Sequence, residues 1–264
     1  MQRRCVTFSL LGAAAWSALG LSGCASMDKD NKQRQVASVL SFLFPGKQEP
    51  GPVSDRVAEI KVPFRIGVAF VPDTAPAEFR LSEAERQGLA GRVRDAFAGY
   101  PFIGHIQIVP SLYLEPGGGF ANLERVAALL NLDVIALISY DQVQHADASG
   151  WSFLYWTGVG AYVIEGDHFE VLTAVECTVF DVRSHRLLMR AGATSTGKGD
   201  ATLIGFSEKA RLGRAKSFAE AVDRMIGSLQ QEVRAFRDNA PKDPTIRLVL
   251  PPGYDPKGGP PPVR

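Results

Sequence analysis

Phe64-Arg65-Ile66-Gly67-Val68-Ala69-Phe70-Val71 is the stretch on which the fold turns. It is mostly apolar, rich in strand formers and stopped by Pro72-Asp73, which fits a buried central strand. Downstream, Ser82 with Glu85 forms a capping-box pattern, and Leu89, Val93 and Phe97 recur every fourth residue until Gly99. That spacing predicts a helix of about four turns. His105–Val109 reads as a strand, Gly117-Gly118-Gly119 as a loop and Leu123–Leu130 as a short helix. Asp133–Tyr140 is the second buried strand.

From Trp151 the apolar period changes to two, over Ser152–Glu165, Phe169–Val182 and Arg186–Thr194. Glu165-Gly166-Asp167 and Arg183-Ser184-His185 divide these segments at hairpin-like spacings, so they read as an antiparallel meander. Ser217 with Glu220 is read as the cap of a final helix of about five turns, lined by Phe218, Val222, Met225, Leu229, Val233 and Phe236. Upstream, Val36, Val39, Leu40 and Leu43 fall at helical spacing before Phe44-Pro45-Gly46, giving a short amphipathic helix. The expected fold class is therefore α/β: a single-domain sandwich with a mixed sheet, two strand-helix units, an antiparallel meander and a long C-terminal helix.

Composition excludes several classes of function. The chain has 264 residues, 45% hydrophobic and 22% charged, with 29 Lys+Arg against 28 Asp+Glu, so it has neither the basic surplus of a nucleic-acid binder nor the makeup of a disordered chain. The N-terminus departs from this balance. Met1–Arg4 is a positive n-region and Val6–Leu21 an apolar stretch too short to span a membrane, the pattern of an export signal over residues 1–23. Leu21-Ser22-Gly23-Cys24 resembles the lipobox of bacterial lipoproteins. The resemblance implies a diacylglyceryl group on the Cys24 thiol, cleavage before Cys24 and acylation, with a palmitate-type chain, of the new amino terminus. Ala25 follows, not the aspartate associated with inner-membrane retention, which favours the outer membrane. Several acyl chains make a firm anchor where one would be marginal. Removing residues 1–23 takes away Arg3 and Arg4 and no acid, leaving 27 basic against 28 acidic residues and little electrostatic pull toward anionic lipid. The expected organisation is a lipidated tether with the short helix over 24–52, a periplasmic α/β domain over 53–240 and a Pro/Gly-rich extended tail over 241–264.

No complete catalytic constellation is visible. Cys5 leaves with the signal, Cys24 is consumed as a thioether, and Cys177 falls between Val175 and Val179 on one strand face, where it reads as a small core residue. Leu172, Ala174, Glu176 and Thr178 take the opposite face. Gly192-Ala193-Thr194-Ser195-Thr196-Gly197-Lys198-Gly199 matches seven positions of a phosphate-binding loop, but Gly199 stands where a Mg²⁺-holding hydroxyl is required, so the segment is expected to be a turn-rich loop. Gly117-Gly118-Gly119 precedes a helix and reads as a flexible turn rather than an anion site. His105, His145, His168 and His185 show no metal-ligand spacing; His105 fits a strand edge and the other three fall in or next to loops. No Gly-x-Ser-x-Gly elbow occurs. The expectation is a protein without catalytic residues, metal or cofactor.

Asp141 follows the strand ending at Tyr140, a position where α/β proteins place site residues, and Tyr140-Asp141-Gln142 reads as a polar patch at the sheet's end. Trp151, Phe153, Tyr155, Trp156 and Tyr162 crowd one hairpin, which fits core packing, a docking surface or an interfacial membrane element. Tyr140, Asp141, Gln142, Trp151, Tyr155 and Trp156 are accordingly the candidate protein-binding surface.

Several stretches resemble the rhombotarget lipoprotein family: Phe64–Pro72, Pro101–Pro110, Tyr113–Phe120, Asp133–Gln144, Tyr155–Val163 and Gly253-Tyr254 with Gly258-Gly259. With the lipobox they extend over nearly the whole chain. The resemblance implies an envelope lipoprotein whose Gly258-Gly259 region is handled by a rhomboid-type intramembrane protease. After Gly259 comes Pro260-Pro261-Pro262-Val263-Arg264, without a hydrophobic helix. The strand-helix order is also similar to the periplasmic domains of curli-secretion and peptidoglycan-synthase activator lipoproteins, a likeness of fold that transfers no function. The resulting expectation is a non-enzymatic outer-membrane lipoprotein, facing the periplasm, that binds another envelope protein and no nucleic acid. The alternative is a self-assembling secretion-type subunit, a homo-oligomer with Ser152–Glu165 in its assembly surface.

Overall fold

The computed structural model describes residues 33–47, 57–73, 80–148, 167–201 and 206–254. In chain order its elements are β1 (Gln33–Ala37), α1 (Val39–Leu43), β2 (Ala58–Lys61), β3 (Phe64–Phe70), α2 (Glu83–Phe97), β4 (Ile103–Ile108), α3 (Gly119–Leu130), β5 (Val134–Ala148), β6 (Asp167–Asp181), β7 (Leu187–Ala201), α4 (Phe206–Asn239) and β8 (Ile246–Val249). They form the expected mixed α/β fold. The main sheet runs β4-β3-β5-β6-β7, with β1 added to β5, and β2 and β8 make a separate parallel pair.

Strand β3 lies between β4 and β5 and is parallel to both. The chain steps from β3 to β4 in one direction and from β4 across β3 to β5 in the other. Right-handed crossovers then require α2 and α3 to lie on opposite faces. The side chains agree: Phe70 lines a small cavity with Arg86 and Ala90 of α2 and meets Phe218 of α4 on one face, and Phe120 of α3 meets Phe180 on the other. Val68, Ala69, Phe70, Ile135, Leu137 and Ile138 are buried between these layers, which is why both strands read as continuous apolar runs. The capping box of α2 is present: Glu85 N–H donates to Ser82 Oγ at 3.2 Å and Ser82 N–H to Glu85 Oε2 at 2.8 Å. Asn131, in the left-handed region at φ 56°, ends α3.

Strand β5 is longer than the apolar run that predicted it. Residues 134–138 pair with β3 and residues 140–144 pair antiparallel with β1, so two strands share one edge of β5 in tandem. Its other edge pairs with β6 along the full length, from Val134↔Asp181 to Ala148↔Asp167. Val36 therefore belongs to β1, not to the short helix, which spans only Val39–Leu43. Part of the segment assigned to the tether is a strand of the body, and part of the Pro/Gly-rich tail is β8. Among the described residues no helix is long and apolar enough to cross a membrane.

Two further expectations are corrected. Gly192–Gly199 is not a loop but the middle of β7, paired from Glu176↔Gly192 to Phe169↔Gly199. The glycine at 199 is there for packing: a Cβ on it would lie 2.6 Å from Phe169 Cζ. The final helix does not begin at Ser217. It is a 34-residue helix starting at Phe206, about 51 Å long at 1.5 Å per residue, and Ser217 lies well inside it.

Candidate functional site

Successive residues of a strand point to opposite faces, so Tyr140, Asp141 and Gln142 have separate surroundings. Strand β5 continues through all three, and Tyr140 and Gln142 are buried rather than part of a surface patch. The Tyr140 hydroxyl donates to Asp73 Oδ2 at 2.7 Å. Asp73 follows β3, its side chain is 1% exposed, and it also receives Arg86 Nη2 at 2.6 Å and Arg80 Nε at 3.1 Å. Burial, together with the adjacent carboxylate, raises the Tyr140 phenol well above its ordinary range. This cluster ties the ends of β3 and β5 to α2. The sequence signal for it was the Asp73 that ends the apolar run, which was read only as a stop.

Gln142 enters a second buried polar cluster, beneath α4. Its Nε2 donates to Thr173 Oγ1 at 2.7 Å and to the Arg214 carbonyl at 3.2 Å. Thr173 Oγ1 is 2.9 Å from Ser217 Oγ, which donates to the Ser195 carbonyl at 3.3 Å, and Ser195 Oγ donates to Glu220 at 2.9 Å. Arg214 Nη1 donates to Gln144 Oε1 at 2.6 Å. Ser217 and Glu220 are thus a helix face turned to the sheet and not a cap.

Asp141 alone of the three reaches the outer face. Arg34 of β1 grips it with two hydrogen bonds, at 2.9 and 2.5 Å, and the Asp141 carboxylate raises the Arg34 guanidinium above its usual value. Around this pair lies the half of the β1-β5-β6-β7 face that, among the described residues, α1 and α3 leave uncovered. The pairing registers put Val143 between Arg34 and Leu172, and Asp141 between Val36 and Ala174, so Val36, Val143, Leu172 and Ala174 form an apolar patch with the Arg34–Asp141 pair inside it. Leu172 is 47% exposed. Two further charged pairs border the patch: Lys198–Glu170 at 3.3 Å and Arg190–Glu176 at 3.9 Å.

Cys177 is fully buried and its thiol is pushed up to about 12, mainly by burial, so it is the inert core residue expected. His185 stacks on Phe120 at 4.3 Å and its Nε2 lies 2.7 Å from Glu124. His105 is exposed on β4, while His145 and His168 lie within β5 and β6 rather than in loops. Gly117 and Gly119 have φ of +68° and +61°, and a Cβ on them would meet Pro45 and the Leu43 carbonyl at 3.1 and 3.2 Å. The glycine run is therefore a packing seam against α1 and the turn after it, not a flexible loop. No group of three or more His, Cys, Asp or Glu able to hold a metal occurs among the described residues. Cys24, Trp151, Tyr155, Trp156, Gly258 and Gly259, with the Ser152–Glu165 segment, lie outside the described residues.

These features define a mixed α/β domain in which, among the described residues, half of one sheet face is uncovered. No protein-family model matches the chain, and no curated protein matches it. Similar solved structures include the PelC dodecamer from Paraburkholderia phytofirmans, at 12% identity over 72% of this chain and 96% of that one, with a TM-score of 0.22. The hypothetical protein CT253 from Chlamydia trachomatis is 9% identical over 65% and 97%, with a TM-score of 0.32. Lipoprotein GNA1162 from Neisseria meningitidis is 13% identical over 59% and 95%, with a TM-score of 0.24. At these values none of the likenesses bears on function.

Proposed function

We propose that the chain is a lipid-anchored outer-membrane protein, facing the periplasm, that works without turnover by docking another envelope protein on the open face of β5, β6 and β7. The anchor is read from Leu21-Ser22-Gly23-Cys24 and the outer membrane from Ala25. The observation that carries the docking reading is the exposed patch around Leu172, apolar side chains with one ion pair among them and further charged pairs at the edge, a mixture that suits a protein-docking surface. A photo-crosslinking residue placed at Leu172 of the full chain, in its own envelope, is expected to give a discrete protein adduct. The same residue at Leu212, an exposed apolar position on α4, is expected to give none. Equal adducts from both positions, or none from Leu172, would refute docking at this face. Radiolabelled palmitate is expected in the native chain and not in Cys24→Ala; label retained in that variant would refute the anchor.

A second reading is favoured by the charges of the face. Asp141, Glu170 and Glu176 balance Arg34, Arg190 and Lys198, which suits a second copy of the chain and hence self-assembly. An adduct of twice the chain mass from Leu172 selects it. Handling of Gly258-Gly259 by a rhomboid-type protease predicts a mature chain lacking its last residues, and an intact mass ending at Arg264 excludes that step.

A further inference from the structure

Beneath α2 and α4, on the sheet face opposite the docking surface, lies a cavity of about 50 Å³ lined only by apolar side chains, among them Val68, Val93, Ala136 and Leu229. Nothing in its wall can hydrogen-bond to water. At ~30 Å³ per water- or methylene-sized group, it has room for about two carbons. Leu188, Met189 and Phe236 line both this cavity and an open groove of about 320 Å³ between the start of β7 and the end of α4. That volume falls in the range of small-molecule sites. The groove carries Arg186, Glu232, Asn239 and Asp243, so its border presents one cation and two carboxylates. Asp243 accepts from the Thr245 N–H at 2.8 Å and also from the Thr245 hydroxyl, and these bonds, with the charge of Arg186, hold its carboxyl below the usual value.

An apolar slot separated from a wider groove of mixed charge only by the side chains of Leu188, Met189 and Phe236 divides in the same way as a single-chain amphiphile, whose chain would displace them. We propose that this site binds such a molecule, with the end of its hydrocarbon chain in the slot and a zwitterionic head in the groove, the anionic part toward Arg186 and the cationic part toward Glu232 and Asp243.

The test uses the full chain and decylphosphocholine bearing a terminal diazirine, held below its micelle concentration. After irradiation, peptide mass spectrometry is expected to place adducts in the α2, β7 and C-terminal α4 peptides. Unlabelled alkylphosphocholines are expected to compete about threefold to fourfold better per added CH₂, up to the length that fills the slot. Decyl sulfate is expected to compete at least tenfold more weakly than decylphosphocholine. In Ala136→Val the two added carbons fill the slot, and labelling is expected to fall at least tenfold while near-ultraviolet circular dichroism and the melting temperature hold. Adducts spread over the surface, or competition that ignores chain length in the unaltered chain, would overturn the site whether or not Ala136→Val folds. Better competition by decyl sulfate would overturn the zwitterionic head.

Discussion

Alanine in place of glycine inside a helix normally stabilises by about 0.8–1 kcal/mol, and α4 offers two positions at which the packing predicts opposite signs. Gly227 has nothing within 4 Å of a new Cβ, so Gly227→Ala is expected to gain about 0.5–1 kcal/mol. At Gly213 the new Cβ would lie 2.6 Å from Phe169 Cε2. The ring cannot simply retreat, because its Cζ sits 2.6 Å from where a Cβ on Gly199 would be, so two glycines on facing elements hold it like a wedge. Phe169 is also 7% exposed, so turning it outward forfeits buried area. Overpacking of this kind costs roughly 1–3 kcal/mol, which outweighs the gain in helix propensity and leaves Gly213→Ala destabilised by about 1 kcal/mol. In thermal unfolding, at roughly 2–4 °C per kcal/mol, Gly227→Ala is expected to rise about 2–3 °C and Gly213→Ala to fall by a similar amount. Phe169→Leu is expected to cancel most of the Gly213→Ala loss in the double variant. Equal stabilisation by both alanines would refute the reasoning that Phe169 fixes the spacing of α4 and β7.

Asp73→Ala leaves Arg86, whose side chain is 12% exposed, without its carboxylate and is expected to cost about 3–5 kcal/mol in urea unfolding. Tyr140→Phe, which removes one donor to the same group, is expected to cost about 1.5–3 kcal/mol and to be non-additive with it. Ser217→Asp separates the two readings of that residue: an N-cap accepts Asp, whereas the buried cluster around Thr173 and Ser195 is expected to lose several kcal/mol on gaining a charge, measured by the urea midpoint. For Asp133, burial acts to raise the carboxyl, but hydrogen bonds from the Arg65 side chain and backbone, with the charges of Arg65 and Arg183, outweigh it and hold the group below its ordinary value. A depressed carboxylate adds stability that is present above its unfolded value near ~4 and is lost as pH falls through the folded value. Asp133→Asn is therefore expected to be less stable than the unaltered chain at neutral pH, with the gap closing below about pH 4 in urea titrations.

The parts legible in the sequence are those fixed by neighbours along the chain. The apolar run of β3, the Ser82–Glu85 box and the Val175, Cys177, Val179 alternation all came through into the structure. The misread parts share a different cause. A Ser and a Glu three residues apart lie on one helix face wherever they occur, so Ser217 and Glu220 look the same as a cap or as a buried face. Polar residues after an apolar run look like the end of a strand, yet Gln142 continues β5 because Thr173 and Arg214, 31 and 72 residues away, satisfy its amide. Glycines look like a turn, yet Gly199 serves a phenylalanine on β6.

By itself, then, the sequence determined the order and type of the main elements, the inertness of Cys177 and the pattern read as a lipid anchor, because periodicity, capping and short motifs act over a few residues. Only the tertiary structure decided that Tyr140 and Gln142 are buried, that Asp141 borders an open face and that an apolar slot meets a charged groove. Those outcomes depend on which distant backbone segments pair and which helix covers which face, and a polar side chain takes its surroundings from partners that local sequence does not name.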